Sequence, residues 1–168
     1  ASADKLAGNQ ELNDLALALG TQLGRKFDLD ELRYERIIIM TDADVDGAHI
    51  AALLITFFFR MTPGLIESGR LFMAQPPLFR LSNKGTIAYA MDETQRAEIM
   101  AKHFKPNQKV DMVRFKGLGE MNPSQLKETT MNPATRTLAR ITLPDSLDAL
   151  TEVKPSDLIN ILMGKKAE

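Results

Sequence analysis

The fold of this chain is decided by the stretch Arg36-Ile37-Ile38-Ile39-Met40-Thr41-Asp42-Ala43-Asp44-Val45-Asp46-Gly47-Ala48-His49-Ile50. Its apolar run, residues 37–40, is bounded by charge and is too short for a helix, so it predicts a buried strand. Residues 48–61 are apolar and long enough for a helix. The aspartates between them therefore lie where a strand passes into a helix. In open α/β sheets, ligands bind at that edge, beyond the carboxyl ends of the strands.

The three aspartates Asp42, Asp44 and Asp46 occupy alternate positions directly after the predicted strand. Carboxylates this close repel one another unless a cation or hydrogen bonds compensate. Hard oxygen ligands suit Mg²⁺ or Ca²⁺. A solvated acidic turn that caps the next helix would explain a single aspartate here, whereas three in this pattern favour a metal site.

Two other metal motifs share part of this pattern. An EF-hand loop also begins D-x-D-x-D-G, but it needs Glu at its twelfth position, which counted from Asp42 is Leu53. A helix should also precede an EF-hand, and here a strand is predicted. A phosphohydrolase of the haloacid-dehalogenase type also places D-x-D after a strand. That class expects Thr or Val where Asp46 stands, which weakens this alternative but leaves it open.

The composition limits the classes of protein that the chain can represent. Its 168 residues are 44% hydrophobic and 26% charged, which is typical of a globular protein with one substantial core. There is no cysteine, so disulfides and thiolate chemistry are excluded. The net charge is −1, so any binding to DNA must come from a local basic patch. The longest apolar run, residues 50–59, is too short to span a membrane, and the first residues carry no signal-peptide pattern.

The remaining sequence predicts a mixture of helices and strands. A strand, a helix and a second strand over about forty residues have the length of a right-handed βαβ unit, which indicates a partly parallel sheet. Asn9 and Gly20 can cap and end an amphipathic first helix. The other predicted elements are a short helix at 65–67, strands at 70–74, 78–81, 86–91, 110–115 and 136–143, and helices at 92–104, 123–131 and 157–163.

Two sites for phosphate contacts can be considered. In the stretch Arg114-Phe115-Lys116-Gly117-Leu118-Gly119-Glu120-Met121-Asn122, basic residues flank a pair of glycines, which suits a phosphate contact. An ordinary turn from strand to helix explains the same local pattern, and on that pattern alone it is favoured. Arg136 and Arg140 are predicted on one side of a strand and could form a phosphate-binding pair, although exposed arginines are more often solvated.

Three stretches together carry a resemblance to a known family. They are Thr41-Asp42-Ala43-Asp44-Val45-Asp46-Gly47-Ala48-His49-Ile50, then Gln75-Pro76-Pro77-Leu78, then the stretch from Arg114 to Asn122. In residues, order and spacing the chain resembles the B subunit of bacterial type IIA DNA topoisomerases, that of topoisomerase IV more than that of gyrase. The resemblance covers nearly the whole chain.

The resemblance implies an α/β fold in two regions. Residues 1–77 would form a partial Toprim domain, which is Rossmann-like with a largely parallel sheet and flanking helices. Residues 78–168 would form an α+β C-terminal tail region that contains the RFKGLGEMN motif.

The resemblance also implies the residues of a site. Asp42 is similar to the family's shared metal ligand, Asp44 to the second ligand of one Mg²⁺, and Asp46 supports the site. Mn²⁺ or Ca²⁺ could substitute for Mg²⁺. His49 and Arg136 align with positions that contact DNA, and Lys116 is a further expected contact.

Parts of the family's machinery are absent from this sequence. The catalytic glutamate of the family's Glu-Gly-Asp-Ser motif, the following Arg-Gly-Lys motif and the ATPase domain are missing, and the nucleophilic tyrosine belongs to the A subunit. Tyr34 and Tyr89 match no nucleophile motif, so structural roles are expected for both. ATP would bind only in the missing N-terminal domain. The chain is therefore expected to be part of a larger subunit and to be inactive alone.

The expected partners follow from the same resemblance. The chain would act on double-stranded DNA with the A subunit in an A2B2 heterotetramer, in the bacterial cytoplasm at the nucleoid, without a membrane. Two alternatives stay open at this point. One is a stand-alone Mg²⁺-dependent phosphohydrolase, and the other is a non-catalytic module for DNA binding or assembly.

Overall fold

The structure, a computed structural model, describes residues 8–143, so the helix predicted at 157–163 and the end of the predicted tail region lie outside the described residues. The helices are α1 (Gln10–Leu19), α2 (Val45–Met61), α3 (Pro63–Glu67), α4 (Glu93–His103) and α5 (Pro123–Leu126). The strands are β1 (Ile37–Ile39), β2 (Leu71–Ala74), β3 (Phe79–Asn83), β4 (Thr86–Ala90), β5 (Asp111–Arg114) and β6 (Leu138–Arg140). Short 3₁₀ turns lie at Gly24–Lys26, Leu29–Glu31 and Leu118–Glu120, and a π-helical turn lies at Lys127–Met131.

Within residues 8–143 the strands form two three-stranded sheets, of order β1-β2-β6 and β4-β3-β5. In the second sheet β3 pairs antiparallel with both neighbours, and Phe79 lies opposite Ala90 on one side and Arg114 on the other. The α/β class is confirmed. The sheets are not all parallel, and the antiparallel sheet lies in the region expected to be an α+β tail. Its hairpin turn, Lys84-Gly85, has positive φ at both residues, as a tight two-residue turn between antiparallel strands requires.

The described residues divide into two compact units. One unit contains residues 8–38, 52–72 and 140–143, and the other contains residues 39–51 and 73–139. The most buried large side chains of the first unit are Ile55, Phe58, Leu65, Leu71 and Ile141. Those of the second unit are Ile39, Phe79, Leu81 and Phe115.

Helix α1 begins and ends where the sequence predicts. The side chain of Asn9 accepts a hydrogen bond from the backbone N–H of Leu12 at 3.0 Å. Gly20 ends the helix with a φ of +83°, and its N–H donates to the carbonyl of Ala16. A left-handed backbone conformation costs little free energy only for glycine. The predicted end of the helix at Gly20 is therefore confirmed.

Helix α2 begins at Val45, earlier than the predicted start at Ala48. The reason is Asp44, whose side chain accepts the N–H of Gly47 at 2.7 Å and whose carbonyl accepts the N–H of Ala48 at 3.0 Å. Asp44 is therefore the capping residue of the helix. Asp46 lies in its first turn, where a negative charge interacts favourably with the helix dipole.

The last described strand is shorter than predicted. Strand β6 begins at Leu138, whereas the sequence predicted a strand from Arg136 onward. The N–H groups of Thr135 and Arg136 both donate to the carbonyl of Asn132, so Arg136 belongs to the turn that precedes the strand. The prediction that Arg136 and Arg140 share one side of a strand was therefore wrong.

No helix within residues 8–143 combines the length and the apolar character needed to cross a lipid bilayer.

We expect Gly20→Ala to lower the free energy of unfolding more than Gly85→Ala does. The two glycines have similar positive φ angles, +83° and +90°, where a residue with a Cβ costs about 1–2 kcal/mol. A Cβ at Gly20 would also lie 2.9 Å from the carbonyl oxygen of Glu31, whereas nothing lies within 4 Å of a Cβ at Gly85. Urea unfolding of the 168-residue chain, followed by circular dichroism, measures both. Equal losses would contradict the close approach at Gly20.

Candidate functional site

The three predicted metal ligands line one cleft of the second unit. The cleft has a volume of about 470 Å³, and its walls include Asp42, Asp44, Asp46 and Leu118. All three aspartates are exposed to solvent. Strand β1 and helix α2 position them, because Asp42 follows the strand and Asp46 lies in the first turn of the helix. The carboxylates therefore line an open cleft that a solvated ligand can enter.

A hydrogen bond across 76 residues joins the aspartates to the glycine-containing stretch. The backbone N–H of Leu118 donates to Oδ1 of Asp42 at 2.8 Å. The neighbouring residue, Gly117, lies so close that an added Cβ would be 3.1 Å from the carboxyl carbon of Asp42. The local pattern favoured an ordinary turn from strand to helix, and this turn also contacts the first aspartate of the triple.

Gly47 packs closely against the backbone of Asp42. A Cβ at Gly47 would lie 2.0 Å from the carbonyl oxygen of Asp42 and 2.9 Å from its nitrogen. A separation this small is impossible for any residue other than glycine unless the backbone moves. Gly47 is also buried. The glycine that follows the third aspartate therefore allows the loop to fold back on the start of α2.

The turn that contacts Asp42 is held by its own hydrogen bonds. Oε2 of Glu120 accepts the backbone N–H of Lys116 at 2.6 Å, and the N–H of Glu120 donates to the carbonyl of Gly117 at 3.2 Å. Phe115 and Met121, one on each side, are buried. Immediately afterwards Asn122 and Gln125 form a reciprocal capping box that begins α5, which confirms the predicted start of that helix.

The donor set of the cleft fits a hard cation in part. Asp42 and Asp44 each use Oδ1 to accept a backbone N–H, and each carboxylate has a second oxygen that can bind a cation. Mg²⁺ is commonly held by one or two carboxylates, with waters and substrate phosphates completing its shell. Among residues 8–143, however, no group of three or more His, Cys, Asp or Glu side chains is arranged to hold a metal ion. The cleft thus contains two carboxylates, those of Asp42 and Asp44, that each accept one backbone N–H, and Asp46 lies beside them.

The predicted DNA contacts all belong to the second unit. His49 lies exposed on α2, and Lys116 lies exposed in the turn before Gly117. Arg136 is half-buried, and its Nη1 donates to the carbonyl of Met131 at 3.5 Å, a long hydrogen bond. His49 and Lys116 are therefore accessible to solvent, whereas Arg136 is partly covered. The DNA-binding role of the three remains a prediction.

Sequence reasoning missed a second cleft, of about 260 Å³, lined in part by Tyr89, Gln95 and Glu128. The hydroxyl of Tyr89 donates to Oε2 of Glu128 at 3.3 Å. Burial, and next the negative charge of Glu128, raise the pKa of Tyr89 above its ordinary value. This bond spans 39 residues, so no local pattern could have indicated it. It supports the structural role expected for Tyr89.

The sequence marked the stretch that contains Gly117 and Leu118, but it did not indicate that these two residues contact Asp42. Leu118 acts through its backbone, which every residue but proline could supply, and Gly117 acts through the absence of a side chain. The one available signal was the pair of glycines between a strand and an Asn-Pro helix start. That signal indicates an unusual turn but not what the turn contacts.

Two family models match separate parts of the chain. The Toprim domain matches residues 5–76, and the DNA gyrase B subunit carboxyl terminus matches residues 107–168. The first match contains the three aspartates, and the second contains the turn that contacts Asp42. The hydrogen bond from Leu118 therefore joins residues of the two matched regions.

B subunits of DNA topoisomerase 4 and of DNA gyrase are similar to the chain over its whole length. It is 56% identical over 168 residues to the B subunit of DNA topoisomerase 4 from Caulobacter vibrioides, and 50% identical over 168 residues to that from Bartonella bacilliformis. It is 45% identical over 168 residues to the B subunit of DNA gyrase from Halalkalibacterium halodurans. All of the chain is covered in each comparison, and the chain spans 23%, 24% and 25% of these relatives.

We expect Tyr89 to ionise above the ordinary tyrosine pKa of 10.0. The chain has two tyrosines, so absorbance titration of Tyr34→Phe protein reports Tyr89 alone. The folded protein then holds this proton to higher pH than the unfolded chain. That contribution to stability is complete below about pH 10 and is lost as the pH rises through the folded pKa.

A second substitution separates the two causes. Glu128→Gln in the Tyr34→Phe protein should lower the titration midpoint toward the ordinary value, because the charge is removed while burial remains. An unchanged midpoint would show that Glu128 does not act on Tyr89.

Proposed function

Because the chain resembles the B subunit of bacterial type IIA DNA topoisomerases, that of topoisomerase IV more than that of gyrase, we propose that it supplies the Mg²⁺-binding and DNA-binding part of such an enzyme. The enzyme would cleave and religate DNA and pass one duplex through another, driven by ATP hydrolysis. The chain would do this as part of a larger subunit, in the cytoplasm at the nucleoid.

One observation carries the proposal beyond sequence similarity. The hydrogen bond from Leu118 to Asp42 brings the glycine-containing turn against the first aspartate of the triple. A stand-alone phosphohydrolase built on strand-Asp-x-Asp gives no reason for this turn. A topoisomerase B subunit accounts for the turn, because the aspartate stretch and the glycine-containing stretch are both characteristic of that family's sequence.

Asp42 and Asp44 would hold the cation, and Asp46 would support them from the first turn of α2. When bound, Mg²⁺ would stabilise negative charge on phosphate oxygens and on the leaving 3′ oxygen of the cleaved strand. The chain's own residues orient the site. Leu118 fixes the carboxylate of Asp42, Gly47 fixes that of Asp44, and the open cleft admits a phosphate with its waters.

His49, Lys116 and Arg136 would contact the DNA backbone. Each positive group that neutralises a phosphate displaces a condensed counterion and makes binding depend on salt. With a net charge of −1 for the chain, binding would depend on such local positive groups rather than on overall charge. His49 lies one turn after Asp46 on α2, so a phosphate at the cleft would be near both.

The remaining catalytic groups would come from outside this chain. The catalytic glutamate would lie in a Glu-Gly-Asp-Ser segment of the larger B subunit, and the nucleophilic tyrosine in the A subunit of an A2B2 heterotetramer. ATP would bind in a separate N-terminal domain. The 168-residue chain by itself should therefore neither cleave nor relax DNA.

The test combines the chain with the A subunit of a topoisomerase IV and a B-subunit segment that carries Glu-Gly-Asp-Ser. We expect Mg²⁺-dependent cleavage of supercoiled DNA that needs all three parts. Asp42→Asn should reduce cleavage by at least about 100-fold, because the substitution keeps an acceptor for Leu118 but removes the charge that attracts the cation. Cleavage or relaxation by the chain alone would contradict the proposal.

One outcome would redirect the assignment. If the parts associate without cleaving DNA, and the chain instead hydrolyses a phosphate ester in a reaction that Asp42→Asn abolishes, the phosphohydrolase alternative replaces the topoisomerase proposal.

We also expect Lys116→Ala to weaken binding to duplex DNA and to reduce the slope of log K against log salt concentration by about 0.9. The control is Lys102→Ala, which removes the same charge from an exposed position on α4. Fluorescence anisotropy with a labelled duplex over a range of salt concentrations measures both. If the two variants behave alike, Lys116 acts through net charge and does not contact a phosphate.

A further inference from the structure

We propose that Gly117 and Leu118 position the carboxylate of Asp42 for cation binding. They lie in residues 116–120, here called the clamp turn. The inference rests on the proposed function. It adds that the affinity of the site for its cation is set partly by a turn far along the chain that supplies no ligand itself.

The first argument is the directional bond from Leu118. The terminal torsion of an aspartate side chain is soft, so an exposed carboxylate rotates over a broad range unless something holds it. The N–H of Leu118 fixes Oδ1 of Asp42 at 2.8 Å. With one oxygen fixed, the second oxygen has a defined direction. A cation that binds the second oxygen therefore meets a carboxylate that is already oriented.

The second argument is the space that Gly117 leaves. A Cβ at this position would lie 3.1 Å from Cγ, 3.1 Å from Oδ1 and 3.2 Å from Oδ2 of Asp42. All three atoms of the carboxyl group are thus in close range, and a methyl group would push the whole group aside by a few tenths of an ångström. Because Asp42 is exposed, its side chain can move in this way without disturbing a core.

The backbone at Gly117 makes this substitution informative. Its φ is −158° and its ψ is 166°, which is an extended conformation that any residue adopts. Alanine at position 117 therefore carries no conformational strain, and its effect comes from the contact with Asp42. Gly119, two residues later in the same turn, has nothing within 4 Å of a built Cβ. Gly119→Ala is thus a matched control with the same added methyl group.

The clamp turn is rigid enough to act on Asp42. Glu120 accepts the N–H of Lys116, and the flanking Phe115 and Met121 side chains are buried. An added methyl group at position 117 would consequently move the exposed carboxylate rather than the turn. Groups that orient a metal ligand typically change metal affinity by about 10–100-fold when they are altered.

Isothermal titration of the 168-residue chain with Mg²⁺, and separately with Mn²⁺, tests the inference. We expect Gly117→Ala to raise Kd about 10-fold, while Gly119→Ala leaves Kd unchanged. Both variants should keep the melting temperature of the parent chain. In an Asp42→Asn background, Gly117→Ala should have no further effect on cation binding, because the two residues act through one carboxylate.

A second pair of variants tests the N–H itself. Leu118→Pro removes the donor, and the extended ψ of Gly117 is compatible with a following proline. Leu118→Ala removes the same side-chain packing but keeps the donor. We expect the proline variant to bind Mg²⁺ about 10-fold more weakly than the alanine variant. If Gly117→Ala does not fold, this pair of variants still shows whether the clamp turn positions Asp42.

The outcomes separate the two proposals. If the parent chain binds Mg²⁺ and Gly117→Ala matches Gly119→Ala, or Leu118→Pro matches Leu118→Ala, the clamp turn does not position Asp42 and only the inference fails. Tighter binding by Gly117→Ala would overturn it as well. If the parent chain binds neither cation, the metal site of the proposed function fails and the inference fails with it.

Discussion

The close packing around Asp42 is the constraint on which the described site depends. Its carbonyl oxygen faces Gly47, its carboxylate faces Gly117, and Oδ1 accepts the N–H of Leu118. A side chain at either glycine would displace this aspartate, so both glycines are needed for the same reason although they lie far apart in the sequence. The strand-to-helix connection and the clamp turn are therefore built around one residue.

The three neighbouring aspartates show how a protein can compensate adjacent negative charges while leaving carboxylate oxygens accessible. Backbone N–H groups compensate two of them, since Asp42 accepts from Leu118 and Asp44 accepts from Gly47. Asp46 lies in the first turn of α2, at the positive end of the helix dipole. Helix capping and cation binding are thus compatible roles for Asp44, because capping uses one carboxylate oxygen and leaves the other.

The antiparallel sheet and the turn before β6 show where local patterns lose information. The hairpin was predictable because Lys84-Gly85 lies between two alternating strands, whereas the pairing of β5 with β3 depends on residues far apart in sequence. Arg136 was assigned to a strand from alternation alone. In the structure the carbonyl of Asn132 accepts its N–H and keeps it in the preceding turn. Alternation cannot reveal a competing hydrogen bond of this kind.

By itself the sequence determined the α/β class, the capped ends of α1, the capped start of α5, the strand before the aspartates and the three acidic candidates. These features depend on the hydrophobic pattern and on helix capping, and both are determined by residues close together in the sequence. Only the tertiary structure decided that Gly117 and Leu118 contact Asp42 and that Tyr89 donates to Glu128. These contacts are made by the backbone N–H of Leu118, by Gly117, which has no side chain, and by the hydroxyl of Tyr89. Each partner lies far away in the sequence. Their chemistry leaves no distinctive residue pattern at either end.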